Sequence, residues 1–276
     1  AEWIEISSGQ DKLFFHDSRD LSDIQLNFVL DGFELETVDK DGINYAKLSH
    51  SDQAYFTQVG LPDLPRFSRM FAIPDLGAVN FKINFLQEET IENITVFPIQ
   101  EDQIESRPAK QEFDIDRDFY LGDEIFPMNI VELSEPAIMR DFRLVQVTVN
   151  PLQYDPSTRS LRIITELDIS IETDEQINAA NPILREKKLS RSFEPIYRAS
   201  IQNYDEIAGL RTEYQDPCIL FIHPNNNDVV TTLNYLTDWK KQMGYDVHTV
   251  STSITGTSTT AIKNYCLLYT SDAADE

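Results

Sequence analysis

Short apolar runs separated by turn residues fill the first 174 residues. IQLNFVLDGFELETV, FSRMFAIP, VNFKINFLQ, ENITVFP and RLVQVTVNP are rich in Val, Ile and Phe and are split by Gly, Pro, Asn and Asp. That is the pattern of strands and turns. Val145, Val147 and Val149 alternate with Gln146, Thr148 and Asn150. Leu161, Ile163, Leu167, Ile169 and Ile171 share one parity, opposite Arg162, Glu166, Asp168 and Glu172. A period of two with one wet face is the antiparallel signature. Asp155-Pro156-Ser157-Thr158 supplies a turn between two neighbouring strands, with proline fixing φ. The region predicts a mainly β, antiparallel β-sandwich or barrel-like domain.

The pattern then changes twice. Residues 175 to about 212 are polar and helix-prone and hold a basic cluster of Arg185, Lys187, Lys188, Arg191 and Arg198. They predict a linker with one short helix near 194–204. From Cys218, CILFI reads as a buried parallel strand. Val230, Leu233, Leu236 and Trp239 follow at helical spacing, with Asp228 as N-cap and Gly244 as stop. YDVHTV is a second strand and TGTSTTAIKNY opens a second helix. Strand, helix, strand, helix is the start of a parallel α/β domain, and two strands are too few to close its core. The expected division is a β domain over 1–190, a linker over 191–217 and an incomplete α/β domain over 218–265. Residues 266–276, CLLYTSDAADE, break the helical pattern. They resemble translated adapter tails on metagenomic gene fragments and are expected to be non-native.

Composition narrows the function classes. The 276 residues carry a net charge of -24. This opposes a nucleic-acid partner, which needs clustered Lys and Arg. No apolar run approaches the roughly 18 residues of a membrane helix. The start, AEWIEISSG, has no signal-peptide pattern, and Ala1 would suit a chain already trimmed by signal peptidase. Two cysteines, Cys218 and Cys266, are too few for a disulfide framework.

Several residues invite a chemical reading. Cys218 and His223 lie five apart on one predicted strand, hence on opposite faces, which opposes a Cys/His dyad. Asp114, Asp116 and Asp118 mimic a calcium loop, but Phe119 and Ile125 stand where an EF-hand needs Gly and Glu. A looser calcium site is the one cofactor left open. TGTSTT lacks the Gly-Lys of a phosphate loop, and Asn93-Ile94-Thr95 matches the glycosylation sequon. Arg107 precedes Pro108 in a long polar stretch. An arginine offered there could enter a basic-specific protease pocket, while the proline slows cleavage. Arg211-Thr212 sits at the junction of the β and α/β parts, where proteolysis concentrates. On these residues alone, ordinary surface arginines are the simpler account.

The order of three segments adds context. GLPDLPRFSRMFAIP (60–74), EIFPMNIVELSEPAIMRDFRLVQVTVNPLQYDPSTRSLRIITELDISI (124–171) and FEPIYRASIQNYDEI (193–207) together resemble the prodomain of gingipain-type cysteine proteases, peptidase family C25. CILFIHP and the segments after it are similar to the start of that family's catalytic domain. The resemblance implies a prodomain that assists folding and silences a secreted, bacterial cysteine endopeptidase, with its own caspase-like catalytic domain as partner. It implies that Arg107 and Pro108 occupy the blocking loop and that Arg211 and Thr212 flank the maturation junction. The family's catalytic His and Cys come later in the chain, so this chain alone is expected to be inactive. The rival reading is a non-enzymatic surface module that binds carbohydrate or protein through Trp3, Tyr120 and Tyr154.

Overall fold

A computed structural model describes residues 1–7, 13–101, 112–174, 180–184, 188–208, 214 and 217–269. The chain divides into two compact units, Ala1–Arg185 with Tyr197–Leu210, and Glu186–Ile196 with Arg211–Glu276.

The first unit contains, in chain order, β1 (Glu2–Glu5), β2 (Phe14–Asp20), β3 (Asp23–Val29), β4 (Gly32–Lys40), β5 (Ile43–Ser49), β6 (Phe67–Ile73) and β7 (Ala78–Glu92). It continues with α1 (Arg117–Tyr120), β8 (Val131–Leu133), β9 (Ala137–Met139), β10 (Phe142–Val149), β11 (Leu152–Asp155) and β12 (Ser160–Asp174). Its strands form three antiparallel sheets. One is β1-β4-β5, and one is β6-β10-β8 with β9 also on β10. The largest is built on β12, which pairs with β11 and β3 along one edge and with β7 along the other, while β2 completes the row beyond β3. Leu161, Ile163, Leu167, Ile169 and Ile171 of β12 are all buried, as their shared parity predicts. They meet Phe28, Phe33, Leu48, Phe67, Phe71 and Val147 from all three sheets in one core. Each such side chain contributes about 1.5–3 kcal/mol on burial. The β11–β12 hairpin turns where the sequence predicts. Asp155 Oδ1 accepts from Ser157 N at 2.9 Å and Ser157 Oγ at 2.7 Å. The Ser157 hydroxyl is the main reason the Asp155 carboxyl sits below its usual range.

The alternation expected for β10 fails on its second face. Phe142, Leu144, Thr148 and Asn150 are buried there, and only Gln146 is exposed. The cover comes from α2 (Glu194–Ser200) and α3 (Tyr204–Ala208), two helices in place of the one expected in a linker. Within the first unit, Tyr197 and Tyr204 stand edge-on to Phe142, at ring-centroid distances of 5.0 and 5.8 Å. Tyr197 donates to Asp141 Oδ2 at 2.7 Å. Between the helices, Asn203 breaks the helical run to serve β6: its amide donates to Ala72 O at 2.9 Å and accepts from Ala72 N at 2.8 Å. The segment 197–208 is therefore packed structure. Thr148 meets Ser68 at 2.8 Å and Asn150 donates to Asn129 O at 2.7 Å, which makes their burial tolerable. Arg143 is fully buried and donates to the carbonyls of Pro74, Gly77 and Ala180. Burial pulls its guanidinium below the usual arginine range.

The second unit contains β13 (Cys218–His223), α4 (Asn227–Gln242), β14 (Asp246–Ser251), α5 (Thr252–Thr255) and α6 (Thr259–Tyr269). β13 and β14 pair in parallel, Cys218 with Asp246 through His223 with Ser251. CILFI is not the buried run expected: Cys218 is exposed and the rest of β13 is half-buried, because only two strands are present. The α4 N-cap is Asn226, not Asp228. Its extended backbone aims Oδ1 at Asp228 N, 2.8 Å away. Of the predicted apolar stripe, Val230 and Leu233 are half-buried, while Leu236 and Trp239 are 38% and 54% exposed. Helix α6 runs through Cys266 to Tyr269, past the expected break at 265, since nothing there is Gly or Pro. Also in this unit, Leu189 forms a parallel bridge with Tyr214, and the Arg191 guanidinium lies 4.5 Å from the Tyr214 ring centre.

Candidate functional site

Arg107, Pro108, Arg211 and Thr212 lie outside the described residues. The structure describes the two shoulders of the segment that carries Arg107, residues 95–101 and 112–120.

The outgoing shoulder is stitched on two sides. Ala46 N donates to Thr95 O at 2.7 Å and Phe97 N to Ala46 O at 2.8 Å, which adds this stretch to β5. On its other side Asp63 N reaches Phe97 O, Ile99 N reaches Leu61 O and Gly60 N reaches Ile99 O, each at 2.8 Å. The returning shoulder is fixed to the same braid. Asp116 N donates to Gly60 O at 3.0 Å, and Tyr120 Oη donates to Val96 O at 2.7 Å. Burial pushes the Tyr120 phenol well above its usual range. Phe113 packs on Tyr45 and Phe97, with ring centroids 5.4 Å away in both cases.

Gln100 and Asp114 close the base. Gln100 Nε2 donates to Asp114 O at 2.8 Å, and Gln100 Oε1 accepts from Asp114 N at 3.0 Å. Asp114 Oδ2 accepts from Glu101 N at 3.1 Å. A primary amide paired with a backbone peptide imitates a ladder rung, so this clasp ends the braid as a strand pair would. Gly60 has φ +90°, and a Cβ there would stand 2.8 Å from Asp116 N. Only glycine combines that backbone with that approach. The arrangement holds both ends of residues 102–111 and so presents an internal peptide at reduced entropic cost.

The other candidates are placed differently. Asp114 and Asp116 spend carboxylate oxygens on backbone N–H groups, Asp116 by capping α1 through Phe119 N at 3.0 Å. Among the described residues, no group of three or more His, Cys, Asp or Glu is arranged to hold a metal, so the calcium reading has no donor set there. Cys218 and His223 sit at opposite ends of β13, and the His223 ring nitrogen Nδ1 lies 2.9 Å from Pro224 O. The aromatics of the rival reading form no common platform. Tyr154 is buried, Tyr120 is half-buried, and Trp3 covers Gly32 beside His50. Asn93 of the sequon is exposed at φ +60°. Sequence reasoning missed Gly60, Gln100 and the structural use of Asp114. Only the Gly60-Leu61-Pro62 turn signal hinted at the first.

Comparison with known proteins gives this geometry a family. Gingipain R1 of Porphyromonas gingivalis is 30% identical over 57% of the chain, and the match covers 16% of that relative. Gingipain R2 of the same organism is 29% identical over 68% of the chain and 25% of the relative. The chain thus spans a quarter or less of these relatives' own length. Among solved structures, a chain from the complex of Porphyromonas gingivalis RgpB pro- and mature domains superposes with a TM-score of 0.63 at 24% identity, over 71% of this chain and 99% of that one. A chain from a study of the zymogenic latency of gingipain K gives 0.54 at 18% identity, over 63% and 98%. These two likenesses are of fold. The Propeptide_C25 family model matches residues 10–208, and the chain belongs to that family as a gingipain-type C25 propeptide.

Proposed function

We propose that the β unit inhibits, and helps to fold, the catalytic domain of a secreted or surface-held bacterial cysteine endopeptidase, with residues 102–111 as the blocking loop. Arg107 is the residue offered to the basic-specific pocket. Pro108 slows scission, because its ring removes the N–H on the leaving side. The single observation that carries this reading is the clasp of Gln100 and Asp114, which holds both ends of the segment. The similar RgpB chain comes from a complex of pro- and mature domains, which supports a partner of the same kind for this β unit. Residues 218–269 are the start of that partner's α/β domain, and Arg211-Thr212 is the junction cut on maturation. Their parallel β13–α4–β14 unit favours this over the surface module, which has no use for such a unit.

The test is to titrate the whole chain against the matching mature protease. The wild-type chain is expected to inhibit, and Arg107→Ala is expected to weaken inhibition at least tenfold, about 1.4 kcal/mol. Equal inhibition by the variant would reject Arg107, and no inhibition by the wild type would reject the role altogether. N-terminal sequencing of the processed product is expected to begin at Thr212.

A further inference from the structure

The solvent face of the largest sheet carries a trough unrelated to the clasp. Cross-strand registration runs Phe15 to Asn27, Asn27 to Asp168 and Asp168 to Phe85, one continuous row over β2, β3, β12 and β7. Side chains in register across neighbouring strands share a face. The two phenylalanines at the ends of the row are 41% and 46% exposed, while Asn27 and Asp168 between them are half-buried. Tall aromatic edges over a short polar floor enclose an open cavity of about 420 Å³ against Phe15, Asp17, Gln25, Asn27, Asn84 and Asp168. Three strand spacings set the rims about 14 Å apart.

The floor is preset. Asn27 Nδ2 donates to Asp168 Oδ1 at 2.7 Å and to Glu166 Oε1 at 3.1 Å. Asn84 sits at a register shift of β7 and donates to Ser170 Oγ at 3.1 Å. The cation at this end of the face, Lys82, is bound to Glu172 at 2.6 Å. A polyanion would therefore meet carboxylates. An apolar partner would strip water from the carboxylates and amides without replacing their hydrogen bonds. A cationic peptide would use the carboxylates and leave the amides idle. A sugar chain uses every part: hydroxyls donate to carboxylates and exchange hydrogen bonds with amides, and flat C–H faces stack on the phenyl rings.

We propose that this trough is a binding site for an uncharged oligosaccharide lying across the strands, with Phe15 and Phe85 as stacking platforms and Asn27 and Asp168 as the polar floor. The site is separate from the blocking segment and leaves it unobstructed for inhibition.

The test is NMR titration of the 15N-labelled whole chain with cellohexaose, chitohexaose and mannohexaose, and with a Lys/Arg heptapeptide at physiological salt. At least one sugar is expected to produce saturable shifts centred on residues 15, 27, 84 and 168. Phe85→Ala and Asn27→Ala are expected to weaken that binding at least tenfold, while Tm and protease inhibition stay unchanged. Phe85 is an exposed edge residue, so its loss leaves the fold intact. Absence of saturable shifts with every sugar, binding unaltered in Phe85→Ala, or saturation by the heptapeptide in place of the sugars would each overturn the proposal.

Discussion

At the scale of single residues, the chain places polar groups where burial strains them. Asp63 lies in the braid that supports the clasp, and burial raises its carboxyl above the ordinary 3.8, with Lys47 opposing weakly. The fold thus favours the protonated form. Between 3.8 and the raised value the folded state holds a proton that the unfolded state has lost, so stability falls as pH rises through that interval and stays lower above it. Asp63→Asn is expected to raise Tm at pH 7 by about 2 °C. The gain should vanish below the ordinary carboxyl value, where both side chains are neutral, as thermal melts across pH will show. None of this is legible in sequence, since Asp63 stands in a Pro-flanked turn where an aspartate ordinarily faces water. Arg143 shows the same limit. It has the parity of Val145 and Val147 at the end of β10, yet its guanidinium is sealed by three carbonyls, two of them more than 60 residues away in sequence.

Elements are legible where the signal is local. Five positions of β12 keep strict parity across 15 residues, and Asp155-Pro156 fixes its hairpin, because both depend on neighbours in the chain. The second face of β10 departs from its pattern because its cover, Tyr197 and Tyr204, arrives from more than 50 residues downstream. The clasp is invisible in sequence for a related reason. Gln100 and Asp114 are 14 residues apart with no periodic pattern, and an amide that imitates a backbone rung leaves no compositional trace. The braid beneath depends on one glycine. Gly60→Ala forces a side chain into a left-handed backbone and against Asp116 N, which should cost about 1–3 kcal/mol. The expected result is a lower urea midpoint, with faster proteolytic nicking between residues 101 and 112 than in the wild type. An unchanged nicking rate would mean that the braid does not govern the segment's presentation.

Across the whole molecule, the core belongs to one unit. Every member of the main hydrophobic cluster lies in the β unit, whereas β13 and β14 form a two-stranded sheet beside a helix with Leu236 and Trp239 exposed. Two strands are too few for independent stability. Amides of β13 and β14 should therefore exchange with deuterium at least a thousandfold faster than those of β12, as mass-resolved exchange on the intact chain will measure. The switch from β to α/β is plain in the sequence, while the true seam is not. The expected linker over 191–217 ignores that Tyr197, Ile201, Tyr204 and Ile207 are apolar at helical intervals and are buried in the β unit.

That seam is interlaced. In chain order, Leu189 belongs to the second unit, Tyr197 to the first, and Tyr214 to the second again. The Leu189–Tyr214 bridge and the stacking of Arg191 on Tyr214 thus cross the bond between Arg211 and Thr212. Scission at that bond divides the covalent chain but undoes neither contact, and it spares the last buried side chain of the β unit, Ile207. The two products would remain knotted like a cut cord whose loop still passes round its other end, so severing and parting are separate events.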